Sequence, residues 1–131
     1  MLKKLAVLII GMVAVLAMPL AAQAKTFYWI SHGSPAVIGV LIRAYAHGGR
    51  RNDADRLLAE LQRRKRAGYV PAAAFVNAYL GLGENDQAFV WLEQAYQEQS
   101  NILLFLKVHP FFDPIRSDPR FTDLVRRTGL E

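Results

Sequence analysis

Ser31, His32 and Ser34 are the first residues along this chain whose types suggest chemistry. A serine beside a histidine invites a nucleophile and its base. Catalysis of that kind also needs an acid to orient the imidazole, and none is nearby in sequence. Neighbouring residues on an extended segment point to opposite faces, so the pair would not meet. The G-x-S-x-G elbow is missing as well. Ser31-His32-Gly33-Ser34-Pro35 instead has the composition of a turn. His32, His47 and His109 are the only histidines, and there is no cysteine. None is paired at ligand spacing, so no metal site is expected, and His47 suits the last turn of a helix. Gly81-Leu82-Gly83 lacks the downstream Lys-Ser/Thr of a phosphate loop. The sequence therefore predicts no catalytic residue, no cofactor and no enzyme.

Binding chemistry is better represented. Arg63-Arg64-Lys65-Arg66, with Arg50 and Arg51, is the strongest charge cluster. It suits an anionic partner such as an acidic peptide, lipid head groups or nucleic acid. It equally suits a solvated helix end, where cations offset the helix dipole, and that is the stronger reading. Phe75, Tyr79, Trp91 and Tyr96 have the spacing of core aromatics rather than of a ligand cage. Arg43 and Asn77 lie 34 residues apart, next to positions expected to pack. They are the candidates for facing a partner, with Arg63, Arg64, Lys65 and Arg66 as a peripheral basic edge.

The spacing of 34 recurs across the middle of the chain. It separates Ala44 from Ala78, Tyr45 from Tyr79, Gly49 from Gly83, Ala54 from Ala88 and Leu58 from Leu92. Each copy reads as two helices. Ile38, Leu41, Ile42 and Tyr45 mark one apolar face, ended by Gly48-Gly49. Asn52 is the expected cap of the next helix, with Asp55 in its first turn and Ala54, Leu57, Leu58 and Leu61 as its stripe. Gly68 ends it. Pro71 opens the second pair, Phe75, Val76 and Tyr79 make its inner face, and Gly83 ends its first helix. Asn85 is the expected cap of the next, with Ala88, Trp91, Leu92 and Ala95 as its stripe. Ser100 is expected to cap a short apolar helix over Asn101 to Val108. Asp118-Pro119 opens a last one carrying Phe121, Leu124 and Val125. Paired helices that cannot bury their faces alone must stack on neighbours.

The first residues have another character. Met1 to Lys4 are basic at the start, Leu5 to Ala17 are apolar, and Ala22-Gln23-Ala24 is a small-x-small exit. That order predicts a secretory signal peptide over 1–24, cleaved on export to the periplasm. The alternative is a membrane anchor retained uncleaved, although the run is shorter than the about 20 residues of a span. Loss of Lys3 and Lys4 lowers the formal charge from +5 to +3. No nucleic-acid partner and no stable membrane insertion after cleavage are expected. Residues 25–35 form an extended arm whose Thr26 to Ile30 favour a strand.

AYAHGGRRNDADRLLAEL, AYLGLGENDQAFVWLEQAY and HPFFDPIRSDPRFTDLVRRTGL resemble the tetratricopeptide tails of bacterial protein kinases, adenylate cyclases and transcriptional regulators. The resemblance covers roughly residues 36–130. It implies an all-α fold of two helical hairpins with a capping C-terminal tail, and a non-catalytic module that binds a protein or peptide. Here an export leader, not a large catalytic or DNA-binding domain, stands before the tail. The leader and KTFYWISHGSPA resemble the start of a sugar-binding protein of an ABC importer, which offers the alternative of a remnant or fusion of such a protein. Two repeats are marginal for a stack, so cover for the end near Ile38 and Leu41 is expected from the arm around Trp29 or from a second copy of the chain.

Overall fold

Every regular element observed is a helix. The computed structural model describes residues 34–130, and the expected leader and the arm as far as Gly33 lie outside them. In order come α1 (Pro35–His47), α2 (Arg51–Ala67), α3 (Ala72–Leu82) and α4 (Asn85–Gln97). Two short 3-10 helices follow, Asn101–Phe105 and Pro110–Ile115, and then α5 (Pro119–Arg127). No strand occurs among the described residues. The all-α expectation holds for them.

Turn chemistry sets the helix ends. After α1 the chain closes with the Arg50 amide donating to the Tyr45 carbonyl at 2.8 Å, and Gly49 takes φ +72°. After α3 the Glu84 amide donates to the Tyr79 carbonyl at 2.9 Å, and Gly83 takes φ +76°. These are the same six-to-one closure in the same register of the repeat, and it needs a left-handed residue. The closure after α4 joins the Ser100 amide to the Ala95 carbonyl at 2.9 Å but places Gln99 at φ +50°. An L side chain there is strained by about 1 kcal/mol.

Several expected caps are replaced. α2 begins at Arg51, so Asn52 lies inside it, and Arg50 at the cap position makes no side-chain cap. Arg50 instead holds Asp53, while Asp55 pairs with Arg51 at 3.0 Å. Asn85 is the first residue of α4 rather than its cap, and its Oδ1 is buried without a hydrogen-bond partner. Pro35 belongs to α1 and not to an extended arm. The expected helix over Asn101–Val108 is instead a short 3-10 helix over Asn101–Phe105 followed by a turn, with the Leu103, Leu106 and Val108 amides bonding three residues back rather than four. Asp118 does cap α5, accepting from the Arg120 amide at 2.9 Å.

α3 is the centre of the core. Eight of its 11 residues are buried, as expected of a helix that is apolar almost all round. It packs against α1 on one side and α4 on the other, and α1 also packs on α2. Phe75 stacks on Trp91 with centroids 3.9 Å apart, joining α3 to α4. Glu98 caps α3 from outside, its carboxylate accepting from the Ala72 amide at 3.0 Å. Ala54 and Ala88 are fully buried. The closest main-chain approach lies elsewhere, between α1 and α3. A Cβ on Gly39 would lie 2.3 Å from the Ala74 carbonyl oxygen, and one on Gly81 would lie 2.5 Å from the Arg43 Cα. Advancing from 39 to 43 on α1 advances from 74 to 81 on α3, so the two helices run the same way.

Gly39→Ala is expected to destabilise the fold by about 1–3 kcal/mol in urea titration, since backbone must move to admit the methyl. Gly68→Ala, where no atom lies within 4 Å, serves as the control and should not lower stability. Gln99→Gly should raise the urea midpoint by relieving the left-handed strain.

Candidate partner-binding face

Only three residues of α3 reach solvent, and each is half-buried: Ala73, Asn77 and Gly81. They are four apart and form one stripe along the helix. Asn77 is its single polar side chain. Its Nδ2 donates to the Ala73 carbonyl at 3.1 Å. That leaves the Oδ1 and one N–H to offer together, the pair that matches a peptide main chain.

Arg43 borders the stripe from α1. Its backbone and Cβ lie against Gly81, one helical turn from Asn77. Its guanidinium carbon sits 4.9 Å from the centre of the Phe111 ring, on the second 3-10 helix. Phe111 is buried and its ring lies tilted against Phe112, with centroids 3.9 Å apart. Burial pushes the Arg43 pKa down, and no carboxylate acts against that shift. A half-buried guanidinium resting on an aromatic face keeps its five N–H donors in a fixed plane. Beside it on α1, Val40 is 54% exposed and Ala44 is open to solvent. The face is therefore a seam of small and apolar residues with one amide and one cation. Arg43 on α1 thus lies against Gly81 on α3, one turn beyond Asn77.

The predicted basic edge lies apart from these two, in the last turns of α2. Glu60 accepts from both Arg63 and Arg64, the latter at 2.8 Å. Lys65 lies 5.8 Å from the centre of the exposed Tyr69 ring. Arg66 completes the run and is exposed. One carboxylate thus serves two of the four cations, and Lys65 and Arg66 have no carboxylate partner among the described residues.

Comparison with protein-family models finds no match, and no curated protein and no solved structure matches the chain. Function must be read from the face itself.

Sequence reasoning missed three contributors to this region. Phe111 holds Arg43, and its signal was its position 34 residues after Asn77, which in turn follows Arg43 by 34. Gly39 and Gly81 let α1 and α3 close up, and neither carried a local turn signal. α5 is also tied in register to α4. Arg120 meets Asp86 at 2.8 Å, and Arg127 meets Glu93 at 2.6 Å, both across 34 residues. Between them α4 and α5 enclose a cleft of about 440 Å³ floored by Phe89, Leu92 and Leu124. Its rim charges are already matched in pairs. Among the described residues no acidic, histidine or cysteine cluster could hold a metal.

The carboxylates of these pairs tie stability to pH. The hydrogen bond from Arg64 holds the Glu60 carboxyl below its ordinary range, and that from Arg127 does the same for Glu93. A carboxyl whose folded pKa is depressed stabilises the fold above its unfolded pKa, and loses that contribution as pH falls through the folded value. Urea midpoints should therefore decline as the solution is acidified below the ordinary glutamate value of 4.5. Glu60→Gln with Glu93→Gln should flatten that decline.

Proposed function

We propose that this chain is a non-catalytic protein-interaction module of the tetratricopeptide class, exported to the periplasm, which captures an extended acidic peptide segment along the α1–α3 seam. Arg43 carries the reading. It is a partly buried guanidinium, 4.9 Å from the centre of the Phe111 ring, with no carboxylate against it among the described residues. A desolvated cation of this kind recognises a carboxylate more strongly than one in bulk water does. Asn77 then pairs with the peptide main chain, and Ala44, Ala73 and Gly81 give that chain room to approach.

The repeat assignment has independent support. α2, α4 and α5 begin at Arg51, Asn85 and Pro119, each 34 residues after the last. The closures at Gly49 and Gly83 keep the same interval. The two 3-10 turns and α5 stand where a third pair would come, with proline-broken turns replacing its first helix. Stacked units of this kind bind partners through the faces of their first helices, which here are α1 and α3.

Selection from a displayed peptide library on the purified chain should return acidic sequences. Arg43→Ala with Asn77→Ala should weaken the selected peptide at least about tenfold, the loss of one charge-assisted contact, with an unchanged helical circular dichroism spectrum. Unaltered affinity would reject the site. Calorimetric titration with sugars should give no heat, whereas a heat of binding would favour the importer-derived alternative.

A further inference from the structure

We propose a second docking surface: the turn after Ser100 adsorbs to bilayers of anionic phospholipid. It lies on the C-terminal segments and does not depend on peptide capture at the α1–α3 seam. Three large apolar side chains project from five consecutive residues. Leu104 is 65% exposed, Phe105 48% and Val108 72%. Their neighbours Ile102, Leu103 and Leu106 are buried, so the turn is anchored in the core while its apolar tips stand in water. Exposed apolar side chains gathered in this way mark a contact surface.

Charge beside the tips identifies the occupant. Lys107 lies between Phe105 and Val108 in sequence, and it lines a shallow cavity of about 320 Å³ with Arg116, Phe121, Thr122, Val125 and Arg126. Arg116 is fixed there by Asp113 at 2.6 Å and by the carbonyls of Leu106 and His109, each at 3.2 Å. Arg126 reaches the cavity from α5 while paired with Asp123. Lys107 has no ionic partner among the described residues. The cavity therefore offers the Lys107 ammonium, two arginines each shared with an aspartate, and a hydroxyl at its rim, with an apolar floor below. That matches a phosphodiester with its glycerol backbone. The adjoining tips match the acyl boundary, as in peripheral proteins that combine shallow apolar insertion with basic contacts. A protein partner fits less well. Projecting leucine and valine tips are under-represented among the side chains that dominate protein interfaces.

The natural chain has no cysteine, so one introduced thiol can be labelled uniquely. The test uses the full chain carrying Leu104→Cys with an environment-sensitive dye, titrated with phosphatidylglycerol vesicles and with phosphatidylcholine vesicles. The dye should report an apolar environment on the anionic vesicles only, and less so as salt rises. A dye at Ala59→Cys, exposed on α2, should stay silent. Lys107→Gln with Arg126→Gln should raise the lipid concentration needed at residue 104 about thirtyfold, each cation near an anionic surface contributing about fivefold. Arg43→Ala with Asn77→Ala should leave the titration unchanged. A silent dye at residue 104, an equal response to phosphatidylcholine, or a response indifferent to Lys107 and Arg126 would overturn the proposal. The last result would assign vesicle capture to another segment such as the apolar stretch at Leu5 to Ala17. Self-association of the chain that masks residue 104 without lipid would assign the tips to a protein contact and overturn it too.

Discussion

The main-chain contact between α1 and α3 is the constraint on which the rest depends. Two helices packed through ordinary side chains lie 8–10 Å apart. Here Gly39 sits against the Ala74 carbonyl, and Gly81 sits against the Arg43 backbone. Removing two side chains draws the axes together and fixes their direction. That approach leaves α3 only one half-open stripe, and it presses Arg43 toward Phe111. The cation is held in place by the geometry of the helix pair and not by an ion pair of its own.

The outer shell works differently. α5 faces α4 through Leu124, which lines a cleft with Phe89 and Leu92, and through arginine–carboxylate pairs above. The guanidinium of Arg120 also covers the Phe89 ring at 4.1 Å, and that of Arg127 covers Tyr96 at 4.8 Å. Such arginines do two jobs, since their planar groups stack on aromatic faces while their edges donate to carboxylates. Exposed pairs of this kind contribute little to stability singly. Their value is register, because two pairs at the same interval fix where α5 lies along α4.

Much of this was legible beforehand. The interval of 34 located the glycine closures, and apolar spacing marked the buried faces of α3, α4 and α5. Asp118 was readable as a cap because an acid directly before proline at a helix start has few other uses. The failures have physical causes. Asn52 and Asn85 lost their expected capping roles to helices that begin one residue or more earlier, where Arg50 holds Asp53 and Glu84 holds Arg51. The stretch after Ser100 reads as helical by composition, yet Pro110 and Pro114 and the tertiary packing of Ile102, Leu103 and Leu106 leave it as separate turns. Arg43, Asn77 and Phe111 share the interval of 34, but Phe111 falls on a proline-broken 3-10 helix, where no helical periodicity marks a face. The role of Gly39 and Gly81 depends on a partner helix some 35 residues away and left no local trace.

The hold of Phe111 on Arg43 has a kinetic consequence. A long flexible side chain normally surrenders its rotational freedom when it meets a ligand, and that loss shortens the life of the complex. Arg43 has largely surrendered it during folding. A bound carboxylate would meet a cation already seated on an aromatic ring and partly shielded from water. Differences between competing ligands would then emerge chiefly in how slowly each one leaves, and the seam would act as a timer of residence more than as a fast sensor of concentration.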